Sequence, residues 1–192
     1  MEKRFGPIAF DLAAHSGNKK HERYFAPAEF VEVVEERPVF PPGDPRTVRE
    51  VKRSSGRKAK VVWELHTPNV DPEAVALDAL SQPWGMRGLL WLNPEFGEIA
   101  PWAAKCETEA ATRHAEITML VPAAVGSNWY RDHVAPHSDA YLLNGRICFD
   151  GKNLFPKDCA LIHYNPRNRE GTVSIWEWRK DIVRARFRRD VG

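Results

Sequence analysis

The chain has no apolar run long enough to span a bilayer. Its longest, Gly88 to Leu92 and Ile117 to Val125, fall well short of the ~20 residues a membrane helix needs. The opening MEKRFGPIAF has no apolar signal-peptide segment, so a soluble, intracellular, cytoplasmic protein is expected and no membrane partner. Cysteine is scarce: Cys106, Cys148 and Cys159 are odd in number, widely spaced and form no CxxC pair, which fits reduced thiols rather than a disulfide framework. Net charge is nearly absent, with 28 Lys plus Arg against 26 Asp plus Glu, so the total does not announce a polyanionic partner. There is no internal repeat. His133 and His137 stand four apart as helical metal ligands would, but Pro136 interrupts that turn, and no metal is expected. No nucleophile elbow accompanies Cys106 or Cys159, whose expected role is packing. What remains is 192 residues that are 43% hydrophobic, enough for the core of one domain and too much for disorder or a stapled mini-protein.

The charge that is present is unevenly placed. From Arg46 to Lys60, Arg46, Arg49, Lys52, Arg53, Arg57, Lys58 and Lys60 face the single acid Glu50. From Arg179 onward, Arg179, Lys180, Arg184, Arg186, Arg188 and Arg189 face Asp181 and Asp190. Such runs either neutralise phosphates or form solvated loops and tails. Pro38, Pro41, Pro42, Gly43 and Pro45 precede the first run, so residues 26–70 read as an irregular basic insertion, and 166–192 as a basic tail, of one domain covering 1–192. Within the insertion Lys60 to Leu65 suits a short strand. Beyond it, Asp71 to Leu80 suits a short helix with Pro72 in its first turn.

Strand and helix signals alternate elsewhere. PIAFD is an apolar strand ending at Asp11, and GLLWL a buried strand bounded by Gly88 and Asn93-Pro94. PWAAKCETEAATRH, opening at Pro101, suits a helix, ITMLV the next buried strand, and SNWYRDHV a short helix capped by Ser127 and ended by Pro136. Ala140 to Leu143, Ile147 to Phe149 and Cys159 to Tyr164 are further strands, and Trp176 and Trp178 alternate as on an edge strand. The pattern predicts an α/β fold with a mixed sheet.

In open α/β sheets ligands bind beyond the carboxyl ends of strands, so residues that follow an apolar strand have first claim on chemistry. One such place is Asp11 with Leu12, Ala13 and Ala14. The other is Asn93, Pro94, Glu95 and Phe96. There the Asn93 side-chain carbonyl and the Pro94 main-chain carbonyl can both accept from an exocyclic amine, and Phe96 can stack on a flat base. Ser127, Asn128 and Trp129, just past the ITMLV strand, belong either to the wall of such a site or to a helix cap.

NPEF, together with FDLAAHSGN at Phe10 to Asn18, DALSQPW at Asp78 to Trp84, PWAAKC, MLVPAAVGSNWYRDHV, LNGRICFDG at Leu143 to Gly151 and FPKDC, resembles in content and order the phage-type DNA N-6-adenine methyltransferases, the Dam family. The resemblance implies a Rossmann-like fold dependent on S-adenosyl-L-methionine, with a mixed, mostly parallel sheet. It implies methyl transfer to the N-6 amine of an adenine flipped out of double-stranded DNA. Asn93, Pro94, Glu95 and Phe96 would be catalytic; Asp11, Leu12, Ala13, Ala14 and Asp78 would hold the methyl donor. DNA contacts would come from Arg49, Lys52, Arg53, Arg57, Lys58, Asn128, Trp129 and Arg146. A phage or prophage gene acting in a bacterial cytoplasm would fit. Glu95 stands where the family has a second proline, which leaves a second reading: an inactive relative kept as a nucleic-acid-binding module.

Overall fold

The computed structural model describes residues 1–14, 17–55, 58–149, 151–167 and 171–179. Its centre is a six-stranded sheet built from β1 (Ile8–Asp11), β7 (Leu89–Leu92), β8 (Glu116–Pro122), β10 (Cys159–Tyr164), β9 (Asp139–Leu143) and β11 (Val173–Trp176), in that order. β1, β7 and β8 run parallel; β10 lies antiparallel between β8 and β9; β11 is parallel to β9 at the far edge. Five strands therefore share one direction, and the expected mixed, mostly parallel α/β sheet is found.

Burial explains why β7, β8 and β10 read as unbroken apolar runs: both faces of the sheet are covered. On one face Phe10, Leu90, Leu92, Ile117, Met119, Val121, Ala160 and Ile162 pack beneath α2 (Ile99–Arg113) and α3 (Asn128–His133). On the other, Trp91, Leu120, Leu143, Cys159 and Leu161 meet Met1 and Phe5 of the α1 segment (α1, Glu2–Phe5), with Trp176 and Trp178. The Arg4 guanidinium lies 4.3 Å from the Tyr141 ring centre there. Helix α2 starts two residues ahead of the expected Pro101, because the first-turn amides have no intrahelical acceptor and a proline there loses nothing.

DALSQPW is fastened by a buried carboxylate. Glu109 of α2, 3% exposed, accepts from the Trp84 amide (2.9 Å) and pairs with Lys105 (2.7 Å) and Arg113 (3.0 Å). The fully buried Trp84 indole donates to the Ala79 carbonyl (2.8 Å).

Four expectations about local structure need correction. The stretch 26–70 is not irregular throughout: β3 (Glu29–Val34), β4 (Thr47–Ser55) and β5 (Lys58–Pro68) form an antiparallel sheet in the order β3-β5-β4. The prolines that suggested disorder are confined to the β3–β4 connection, and β-branched residues on both sides carry the ladder. Asp71 to Leu80 is not a helix; it holds β6 (Ala76–Leu77), paired in parallel with β2 (Phe25–Ala26), and a 3-10 turn at Ala79–Ser81. Ile147 to Phe149 is not a strand; only Cys148 bridges to Leu154. Residues 166–192 are not a tail throughout: Val173–Trp176 form β11 at the edge of the central sheet, and residues 168–170 and 180–192 lie outside the described residues.

The β3–β5 sheet leaves and rejoins the body at one place. The Asn69 amide donates to the Ala28 carbonyl (2.9 Å) and its side chain to the Pro27 carbonyl (2.8 Å). Val62 is the one buried hydrophobic of this sheet among the described residues. Among the described residues no helix is long and apolar enough to cross a membrane.

Candidate active site

Strand direction gathers the candidate residues. Asp11, Asn93 and the segment after Pro122 all follow the carboxyl ends of neighbouring parallel strands, and the β9–β10 connection, 144–158, meets the same edge because β10 runs the other way.

Asp11 is 2% exposed, and both of its carboxylate oxygens are engaged by main chain: Oδ1 accepts from the Ala13 amide (3.3 Å) and Oδ2 from the Lys20 amide (2.8 Å). Burial raises its pKa above the ordinary carboxylate value, and these two amides together with nearby Lys20 and His21 oppose the rise. The carboxylate thus shapes the loop that follows β1. Leu12 and Ala14 turn their side chains into the core, and their amides are taken by the Trp91 and Phe25 carbonyls. Only the half-buried Ala13 presents side-chain surface. Asp78 reaches the same neighbourhood through the β2–β6 pairing, since its amide donates to the Ala26 carbonyl (2.9 Å), one residue beyond the rung that holds Ala14. It is exposed, adopts a left-handed conformation (φ 54°), and its carboxylate has no protein partner among the described residues. An exposed acceptor of this kind suits hydroxyl donors such as those of a ribose, and the small Ala13 leaves room for close packing.

Asn93 follows β7, one strand away. Its Oδ1 is buried and has no hydrogen-bond donor among the described residues. Such an acceptor costs about 1–3 kcal/mol if nothing ever fills it. Pro94 is buried, Glu95 is exposed and Phe96 half-buried. A cavity of about 300 Å³ begins at Phe96 and runs along the start of α2 to Trp129; Asn93, Pro94 and Glu95 are not among its lining residues. The sequence placed Trp129 at this rim but had no means of pairing it with Phe96. It also missed Phe149 and Phe155, whose rings stand 6.0 and 5.3 Å from that of Phe96. The only available signal was two aromatics in a loop closing at the sheet's carboxyl edge.

The other expected contacts separate into groups. Asn128 opens α3 and is exposed; Ser127 precedes it as the cap residue, but its hydroxyl donates to the Ala124 carbonyl (2.7 Å) rather than accepting from the helix. Arg146 lies in the 144–158 connection, its Nε 4.0 Å from Asp158. Arg49, Lys52 and Arg53 lie on β4, where alternation puts Arg49 and Arg53 on one face and Lys52 on the other. Arg53 is 3.4 Å from Glu64, and Lys60 of β5 is 2.5 Å from Glu35. Lys58 begins β5 opposite Ser55; Arg57 lies outside the described residues. His133 hydrogen-bonds the Glu107 carboxylate on α2 (2.9 Å), and His137 Nε2 stands 3.1 Å from the other oxygen of the same carboxylate.

No curated protein and no solved structure matches the chain. A family model described as DNA N-6-adenine-methyltransferase (Dam) matches residues 73–176, 104 of the 192. That span runs from just before the DALSQPW segment through Asn93 to Phe96 and the cavity to the last strand of the central sheet, and it leaves β1 and the β3–β5 sheet outside. On that match the chain belongs to the DNA N-6-adenine-methyltransferase (Dam) family.

Proposed function

We propose that this protein transfers a methyl group from S-adenosyl-L-methionine to the N-6 amine of an adenine in double-stranded DNA, within a Rossmann-like fold. The observation that carries the reading is the unpartnered, buried Asn93 carbonyl at the end of β7, beside Phe96 and the cavity it shares with Trp129. An exocyclic amine has two N–H bonds to donate. Accepted by Asn93 Oδ1 and the Pro94 carbonyl, it is fixed with its lone pair directed away from both. Phe96 and Trp129 offer π faces to the base once it has left the stack. The donor supplies a methyl group already activated on a sulfonium, so the protein's part is positioning and electrostatics. Asp78 and Ala13 would contact its nucleoside part, while Asp11 keeps the loop around it in shape.

DNA would be held by basic residues around this edge and on the β4–β5 ribbon. Beyond Val51 and Val62 that ribbon is only two strands wide for the pairs through Ser55 and Lys58; the sequence from Val51 to Val62 holds Lys52, Arg53, Arg57, Lys58 and Lys60 and no acid, although Arg53 and Lys60 lie against Glu64 and Glu35 from outside it. The major groove admits a two-stranded ribbon. Arg49, Asn128 and Arg146 complete the proposed contacts.

The test is nucleoside mass spectrometry on DNA from a host without its own adenine methylation, expressing the parent or Asn93→Ala. N-6-methyladenine is expected with the parent, and at least about 10²-fold less with the variant, the scale on which a positioned polar group acts. Glu95, an exposed carboxylate where the family has proline, favours a second reading, a nucleic-acid-binding module without activity. Under it neither protein methylates, and the parent binds DNA but does not bind S-adenosyl-L-methionine in a titration.

A further inference from the structure

We propose that Phe149 is the wedge that enters the duplex where the target adenine leaves it. The inference rests on the adenine-methylation reading and adds to it the residue that opens the base pair.

Four observations lead to it. Phe149 sits in the 144–158 connection, which the strand directions bring to the same edge as Asn93. The stem beneath it is fixed: Cys148 bridges to Leu154, and the Phe155 amide donates to the Ile147 carbonyl (2.7 Å). Phe155 packs into the second buried cluster, while Phe149 is 48% exposed and leans edge-on against Phe155 (5.5 Å) and Phe96 (6.0 Å). Its stem neighbour Leu154, 57% exposed, extends the apolar tip, and the connection holds Arg146, Lys152 and Lys157 against Asp150 and Asp158.

A large apolar ring held half in water on a braced stem forfeits burial that a gap between stacked bases would restore. Flipping a base costs unstacking and unpairing, and an apolar side chain in the vacated place offsets that cost. Phe149 is suited to this because its ring adjoins Phe96. A base resting on Phe96 and a ring standing in its former place can then be neighbours without any rearrangement of the core. Phe155, anchored in the core, is the support and not the wedge.

The test compares the parent, Phe149→Ala and Phe149→Leu on two duplexes carrying the sequence mapped from DNA methylated by the parent. One duplex is fully paired. In the other an abasic position faces the target adenine, so the base is already free to leave. Phe149→Ala is expected to lose about tenfold or more in methylation rate on the paired duplex and less than about threefold on the abasic one, with Leu retaining most of the paired rate. A 2-aminopurine at the target position should lose its flipping signal with Phe149→Ala on paired DNA alone. Equal loss on both duplexes, or no loss on the paired one, would overturn the proposal. A parent that methylates neither duplex would overturn the reading of function beneath it.

Discussion

At the scale of single residues, burial and main-chain satisfaction decide what each side chain can do. Asp11 illustrates this: the strand-end position singles it out, but its oxygens already hold the Ala13 and Lys20 amides. Its contribution is the loop's shape, and the free acceptor is Asp78. His163 on β10 carries a pH dependence. It is 6% exposed, with Nδ1 3.0 Å from the Thr118 hydroxyl. Burial holds its pKa below the ordinary 6.5, against the opposing pull of Glu116 and Asp139. The unfolded chain therefore takes up the proton first. The stability this group contributes is full above 6.5 and is lost as pH falls from there through the folded value. Melting temperatures of the parent and His163→Gln across about pH 5 to 8 should show a steeper acid decline in the parent. Gly88 is a second case. It has φ +93°, and a Cβ there would stand 2.7 Å from the Ala9 side chain, where β1 and β7 begin their parallel pairing. Gly88→Ala should cost at least about 1–2 kcal/mol for the left-handed backbone alone, measured by denaturant unfolding.

Elements are where sequence and structure agree most and where they part. β7, β8 and β10 were legible because a strand covered on both faces writes itself as a continuous apolar run, and α2 because a proline in its first turn is followed by Ala-rich and Glu-rich turns. The β3–β5 sheet was obscured by its composition, with Glu, Lys and Arg between valines, and by the prolines of one connection. It has little buried surface to impose an alternating pattern. The helix expected over Asp71 to Leu80 failed because tertiary pairing of Ala76–Leu77 with Phe25–Ala26 outweighs the local proline signal. In the candidate site, the strand-end positions of NPEF and of Asp11 were visible in the sequence, whereas the Phe96, Phe149 and Phe155 group depends on how a loop folds back. Two outcomes belong at this scale. Glu109→Ala would leave the Trp84 amide without an acceptor while Lys105 and Arg113 turn to water, costing about 1–3 kcal/mol; Glu109→Gln, which keeps the acceptor, should cost less in the same denaturant titration. Neutralising Lys52, Arg53 and Lys60 on the ribbon should weaken DNA binding and lower the slope of log affinity against log salt by about 0.9 for each phosphate that the ribbon no longer neutralises.

Over the whole molecule, stability is divided between a packed central sheet and a sheet that is nearly all surface. Hydrogen exchange should resolve the two: amides of β4 and β5 beyond Val51 and Val62 opening at low free energy, those of β7, β8 and β10 protected until global unfolding. Uniform protection would contradict that division. The neck at Pro27, Ala28 and Asn69 gives the division a further meaning. A segment whose two ends are a single hydrogen bond apart can be excised and its ends rejoined by a short turn with little change in closure entropy. The β3–β5 sheet is therefore a transplantable cassette, and a shortened chain lacking 29–68 would retain the central sheet, the Asn93 segment and Asp78, with the neck left to receive a replacement segment.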